Sequence, residues 1–300
     1  MRVIPSAEVA QALETGRPVV ALESTIISHG LPRPDNLAAA IEFESMLRDA
    51  GVTPATIAVL DGELKAGLEL DELERIANED IPKLTVRDLP IVVARGGSGA
   101  TTVAATSDIA HRAGIRVFAT GGLGGVHRGA NETFDESADL SVLAGVPITV
   151  VSAGVKSILD IGATLERLET LSVPVLGYRT NEFPSFWLTA SGHELDWKVD
   201  DASEVAAVMA ARDALGQPAG ILVANPLPVD QQLDPTMHNT ALQQALAMSA
   251  EQGLTGKEVT PFLLQTIVDL TGGESLRVNL DIARNNIRVA AQIATAWAAR

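Results

Sequence analysis

Short apolar runs alternate with longer amphipathic stretches over most of the chain. Residues 18–22, 56–60, 91–94, 115–119, 148–152, 173–178 and 220–224 are runs of strand length. They lack strict alternation of apolar and polar positions, which predicts strands buried on both faces, in a mainly parallel sheet with helices on each side. The stretches between them end at Gly51, Gly114, Gly145 and Gly216, each placed to take the left-handed position after a helix. Beyond residue 224 the pattern changes to three successive helices, 236–252, 260–270 and 276–299. These could cap the sheet, form a helical subdomain or supply an oligomer contact. No internal repeat or low-complexity linker divides the chain, so residues 1–300 read as one α/β domain with a helical C-terminal region.

Composition narrows the picture. With 46% hydrophobic and 20% charged residues and a mean hydropathy of +0.20, the 300-residue chain can build a large core. Its 22 Lys and Arg against 38 Asp and Glu give a formal charge of −16, which repels phosphate backbones and anionic lipid at long range. Nucleic acid polymers and membrane surfaces are therefore disfavoured as partners. A small anionic ligand would have to be met by a few local donors, which makes the five lysines informative. The lack of cysteine excludes disulfides, thiolate nucleophiles and zinc-thiolate sites, and leaves oxygen and imidazole to hold any metal. No apolar run near the N-terminus is long enough for a signal peptide or a span, so a cytoplasmic protein is expected.

Ligands of open α/β sheets gather beyond the carboxyl ends of the strands, and four segments there carry chemistry. The first strand runs into Glu23, a carboxylate that either caps a turn in solvent or acts on a substrate. Beyond residues 91–94, Arg95-Gly96-Gly97-Ser98-Gly99-Ala100-Thr101-Thr102-Val103 reads as a glycine-rich turn entering a helix, where backbone N–H groups can approach an anion. Its spacing matches neither a Walker A motif nor the dinucleotide fingerprint. The strand 115–119 enters Thr120-Gly121-Gly122-Leu123-Gly124-Gly125-Val126-His127-Arg128-Gly129, which has little helix or strand propensity and suits the wrapping of a ligand. After it, Glu132, Asp135, Glu136 and Asp139 share one face if the stretch is helical, giving either a solvated acidic face or oxygen ligands for a hard metal. Fourth, Lys156 follows the strand 148–152 among small and apolar neighbours. Burial there favours a neutral, nucleophilic amine able to form a Schiff base; a lysine snorkelling from a helix start is the other reading. Together the four segments point to an enzyme for a small phosphorylated carbonyl compound or sugar.

Longer motifs carry a resemblance. They are Ala21-Leu22-Glu23-Ser24-Thr25-Ile26-Ile27-Ser28-His29-Gly30, Pro54-Ala55-Thr56-Ile57-Ala58, Arg87-Asp88-Leu89-Pro90, and Phe118-Ala119-Thr120-Gly121-Gly122 through Gly125-Val126-His127-Arg128-Gly129. Phe134-Asp135 with Ser137-Ala138-Asp139, Lys156-Ser157-Ile158-Leu159-Asp160, and Gly256-Lys257-Glu258 with Thr260-Pro261-Phe262-Leu263-Leu264 complete the set. In this order they resemble the pseudouridine-5′-phosphate glycosidases, from about residue 18 to the C-terminal helix. The resemblance implies an α/β/α layered fold, a homotrimer, a divalent metal (typically Mn2+), and reversible cleavage of the C–C glycosidic bond of pseudouridine 5′-phosphate to uracil and ribose 5-phosphate. It implies that Lys156 is the nucleophile forming an imine with ribose C1′ and that Glu23 protonates the ring oxygen. Lys83, Val103, Ser137, Ala138 and Asp139 match substrate contacts, with His127 and Asn279 at further positions of the site, and Asp135 matches the metal ligand. The chain departs from the family pattern at Arg95-Gly96-Gly97-Ser98 and Ser107-Asp108, which bears on phosphate binding. Rival readings are an aldolase-type Schiff-base lyase for another sugar phosphate and a non-catalytic sugar-phosphate-binding protein.

Overall fold

A computed structural model describes residues 2–254 and 259–300, so the Gly256-Lys257-Glu258 motif lies outside the described residues. Eleven described strands join one sheet: β1 (Ile4–Pro5), β2 (Val19–Glu23), β3 (Thr53–Leu60), β4 (Glu63–Ala66), β5 (Lys83–Leu84), β6 (Gly99–Thr101), β7 (Val117–Ala119), β8 (Thr149–Ser152), β9 (Val175–Tyr178), β10 (Lys198–Val199) and β11 (Ile221–Ala224). Their order is β1-β4-β3-β2-β7-β8-β11-β9-β10, with β6 on β3 and β5 on β6. Every pairing is parallel except β3 with β4 and β3 with β6.

The central strands are apolar on both faces because helices cover both. Along β2, Val19 and Ala21 enter one core while Val20 and Leu22 enter the other; Phe118 of β7 faces the first, Val117 and Ala119 the second. The first core takes Val9, Ile109, Leu140 and Leu168 from helices Ala7–Glu14, Val103–Ala113, Ala138–Leu143 and Ile161–Thr170. The second takes Phe43, Leu47, Val205, Met209 and Ile287 from helices Asp35–Asp49, Ala202–Ala214 and Glu274–Ala298. Residues this apolar on alternating sides of a strand are stable only in such a three-layer sandwich.

The three C-terminal helices are Pro235–Glu251, Val259–Leu270 and Glu274–Ala298. The last passes the carboxyl ends of the strands. Buried Asn286 donates to Thr120 O (2.7 Å) and Gly121 O (3.2 Å) and accepts from Asn225 Nδ2 (2.9 Å), just beyond β7 and β11. The last helix is therefore part of the layer on one face of the sheet, and its Asn286 reaches the strand ends. Among the described residues, no helix is long and apolar enough to cross a membrane.

Three local expectations are corrected. Residues 91–94 form the end of helix Leu89–Ala94 rather than a strand: Asp88 Oδ2 accepts from Thr85 N (2.9 Å) in the turn ahead of it, Pro90 sits in its first turn, and Ile91 is 52% exposed. The glycine-rich turn after it accordingly enters the short strand β6 before Thr102 caps the next helix. Gly51, Gly114 and Gly216 take positive φ as expected, but Gly145 does not, because the chain leaves helix Ala138–Leu143 through right-handed Ala144. The acidic stretch is not one helix. Phe134, at φ 56°, breaks it into Ala130–Thr133 and Ala138–Leu143, so its four carboxylates do not share a face.

Candidate active site

Parallel strands release their chains toward the same edge of the sheet, and the chemistry collects there. Glu23 is the last residue of β2, and Thr120 the first after β7, the neighbouring strand. The Thr120 hydroxyl donates to Glu23 Oε1. Ser24 and Thr101 both donate to Ile57 O at 2.7 Å, and Thr101 N donates to Ser24 Oγ, so the end of β2 is fastened to β6 and cannot wander. An apolar cavity of about 20 Å³, lined by Leu22, Ile26, Phe43 and Ile287, lies against Glu23 and Thr120. It is no larger than a water molecule needs, and its walls offer a water few partners.

Lys83 opens β5, and Lys156 follows β8 in a turn joined to the glycine-rich loop by Lys156 N–Leu123 O (3.1 Å). With Asp139 they stand close enough to act electrostatically on Glu23. Burial pushes the Glu23 carboxyl above the usual range; Lys156 and the Thr120 hydroxyl oppose the rise, Asp139 adds to it, and Lys83 opposes it more weakly. Burial also pushes Lys83 down, helped by neighbouring Lys156 and resisted by Glu23 and Asp139. Glu23 is half-buried and Lys83 is exposed while protein atoms surround both, as groups on a cleft wall are.

The wall beside them is built of backbone. Asp139, 6% exposed, accepts from Ala104 N (2.9 Å) and Gly124 N (2.8 Å), stapling one helix start to the glycine-rich loop. Ser137 caps its own short helix by accepting from Asp139 N, and its amide donates to Gly125 O. Asp139 and Thr102 occupy the Ala104 and Ala105 amides, while those of Val103 and Ala138 have no acceptor among the described residues. Neither Val103 nor Ala138 has a side chain able to hydrogen-bond, so any polar contact they make with a ligand runs through these amides. The loop and the turn after β8 each need a glycine. A Cβ on Gly122 would lie 2.6 Å from the Phe186 ring, and Gly154, at φ 79°, has Pro184 O 2.5 Å from where a Cβ would stand. Asn279 Oδ1 lies 3.5 Å from the Cβ position of Gly121, which brings that expected residue to the loop from the C-terminal helix.

His127 and Asp135 form a separate pair farther along. His127 N donates to Asp135 O (3.0 Å) and Nδ1 lies 3.7 Å from Asp135 Oδ2. Of the other acidic residues, Glu136 pairs with Arg167 and Asp139 is spent on amides. Among the described residues no three His, Cys, Asp or Glu side chains converge on a common point. This donor set fits a hard divalent ion that keeps most of its water shell and takes one protein carboxylate, and does not fit a closed protein cage.

Sequence reasoning missed Thr120 and the Ser24–Thr101 fastening. Threonine and serine at strand ends are too common to stand out; only adjacency of β2 and β7 reveals the Thr120–Glu23 contact.

Partly desolvated, opposed charges at the carboxyl edge of a mainly parallel sheet are the arrangement of an α/β enzyme. Residues 8–296 match the family model for indigoidine synthase A like proteins. The chain belongs to this family. It is 60% identical over 99% of its length to a pseudouridine-5′-phosphate glycosidase of Frankia alni, covering 83% of that protein. It is 58% identical over 98% of its length to the enzyme of that name from Saccharopolyspora erythraea, covering 97% of it. Among solved structures, the prealnumycin C-glycosynthase in complex with ribulose 5-phosphate superposes with a TM-score of 0.92 at 37% identity, covering 100% of this chain and 98% of that one. An indigoidine synthase A-like protein of Thermotoga maritima superposes with a TM-score of 0.89 at 36% identity, over 98% and 96% of the two chains.

Proposed function

We propose that this protein reversibly cleaves the C–C glycosidic bond of pseudouridine 5′-phosphate, giving uracil and ribose 5-phosphate, with Lys156 as covalent nucleophile and Glu23 as acid. The observation that carries the reading is the Glu23–Lys156–Lys83 cluster at the strand ends, in a chain closely similar to proteins named for that activity. Ordinary glycosidases protonate a leaving heteroatom with one of two carboxylates. A C-glycoside has no heteroatom at the scissile bond, so the ribose ring must open first. Glu23, whose carboxyl burial pushes toward the protonated form, gives its proton to the ring oxygen as the C1′–O4′ bond breaks and Lys156 Nζ bonds to C1′. The newly bonded nitrogen loses a proton and so regains its lone pair; C5 of uracil gains a proton in exchange, the lone pair forms the C1′=N bond as the C1′–C5 bond breaks, and C1′ is left as the Lys156 imine. Water hydrolyses the imine, restoring the amine and releasing ribose 5-phosphate.

Lys83 and the Val103 and Ala138 amides meet the anionic substrate locally, against the charge of −16. His127, Asn279, Ser137 and Asp139 complete the wall. Asp135 would hold a divalent ion, Mn2+ by family resemblance, whose charge draws substrate oxygens when bound. A homotrimer belongs to the same reading and rests on that resemblance alone; sedimentation velocity checks the oligomer. Lys156→Ala tests the mechanism: uracil release from pseudouridine 5′-phosphate should disappear, and retention of the wild-type rate would refute the nucleophile.

A further inference from the structure

The turn carrying Lys156 is held from three sides. On the first, Lys156 N donates to Leu123 O and Asp160 N to Val126 O (2.9 Å) of the glycine-rich loop. On the second, Arg128 donates from Nε to Ile158 O (3.1 Å) and from Nη2 to Ser157 O (3.3 Å). The third hold comes from the C-terminal region. Ser157 and His238, 81 residues apart and only 2% and 3% exposed, meet with Oγ 2.8 Å from Nε2.

The direction of that bond follows from the other ring nitrogen. His238 Nδ1 lies 3.2 Å from Asn239 Oδ1, an acceptor, so Nδ1 carries the proton and the Nε2 lone pair accepts from the Ser157 hydroxyl. Burial pushes the imidazole below its usual value, with the Arg128 guanidinium acting the same way against Asn239, and this keeps the lone pair available. The ring cannot swing away. Trp187 packs against it edge-on at 6.0 Å, and the Trp187 indole N–H is itself tied to Ser275 O (3.0 Å) on the last helix.

Neither Ser157 nor His238 is open to a substrate, so neither is a catalytic residue. Ser157 is, however, the next residue after Lys156, and its backbone cannot rotate without moving the Lys156 Cα. We infer that the Ser157–His238 hydrogen bond is a positioning device: it fixes the direction of the Lys156 amine and couples the helix Pro235–Glu251 to the chemistry. This rests on Lys156 being the nucleophile proposed above. A displacement of about 1 Å at a reacting group is enough to lower turnover on the order of 100-fold.

The test follows turnover and borohydride trapping of the ribose 5-phosphate adduct in Ser157→Ala, His238→Ala, the double variant and His238→Gln. Each single alanine variant should lower kcat and the trapping rate by about 10- to 100-fold, with KM for ribose 5-phosphate within about threefold of wild type. The double variant should be no slower than the slower single one, because both remove the same bond. His238→Gln, which offers an acceptor oxygen near the place of Nε2, should recover most of the loss. Ser157→Ala deletes a single oxygen and keeps the test decisive even if His238→Ala does not fold. Alanine variants with wild-type kcat, losses that multiply in the double variant, or a glutamine variant no better than alanine would each overturn the inference alone. No adduct in the wild-type enzyme would overturn the nucleophile reading and this inference with it.

Discussion

Asp139 allows a quantitative test of how the site wall is built. Its carboxylate accepts two backbone N–H groups, Ala104 N and Gly124 N, at 2.9 and 2.8 Å, and is 6% exposed. Hydrogen bonds to a charged group contribute about 1.5–3 kcal/mol each, and a buried donor left without a partner forfeits about 1–3 kcal/mol. Asp139→Ala orphans both amides, while removal of a buried charge offsets part of the loss. The expected net destabilisation is about 3–4 kcal/mol. Asp139→Asn keeps one acceptor oxygen but turns a donor toward the second amide, for about 2–3 kcal/mol. Urea denaturation followed by far-UV circular dichroism measures both. KM for ribose 5-phosphate should rise in parallel, because the staple also places the Val103 and Ala138 amides. An Asp139→Ala protein within about 1 kcal/mol of wild type would refute the reasoning.

Three further outcomes are expected. Glu23 has a raised folded-state pKa, so its contribution to stability is full below the unfolded value near 4.5 and is lost as pH rises through the folded one. Glu23→Gln, neutral throughout, should therefore melt above wild type at pH 8, with the gap closing as pH falls to 4.5; a thermal denaturation series checks this. Gly122→Ala should cost about 1–3 kcal/mol and lower Tm by several degrees, because the added carbon meets a Phe186 ring already wedged against Trp187. Asp135→Asn should raise the manganese concentration for half-maximal activity by about tenfold, read by metal titration of chelator-treated enzyme; an unchanged titration curve would remove Asp135 from the metal site.

Much of this was visible in the chain itself. β2, β7, β8 and β11 were legible because strands buried on both faces leave an unmistakable apolar run, and Glu23 and Lys156 stood out as charges directly after such runs. β4, with the sequence Glu-Leu-Lys-Ala, and the short β5, β6 and β10 lack that signal, since they lie toward the sheet margins with polar or exposed positions. Residues 91–94 fail the other way: four apolar residues have strand length, and only the Asp88 turn upstream and Pro90 decide for a helix. The condition of one helix over the acidic stretch is not met, and nothing in its periodicity announces a phenylalanine in the left-handed region. Asp139 was picked out as a carboxylate for substrate or metal, yet its amide partners lie 35 and 15 residues away, at a range where pattern gives no warning. Ser157 and His238 are invisible for the same reason.

The proposed chemistry stands or falls on a covalent bond at one nitrogen. Incubating the protein with ribose 5-phosphate, uracil and manganese, reducing with borohydride and mapping the modified peptide by mass spectrometry tests it directly. A pentose phosphate adduct on Lys156, together with formation of pseudouridine 5′-phosphate in the unreduced sample, is the expected result. Formation of that product with no adduct on Lys156, or with the adduct on Lys83, would contradict it.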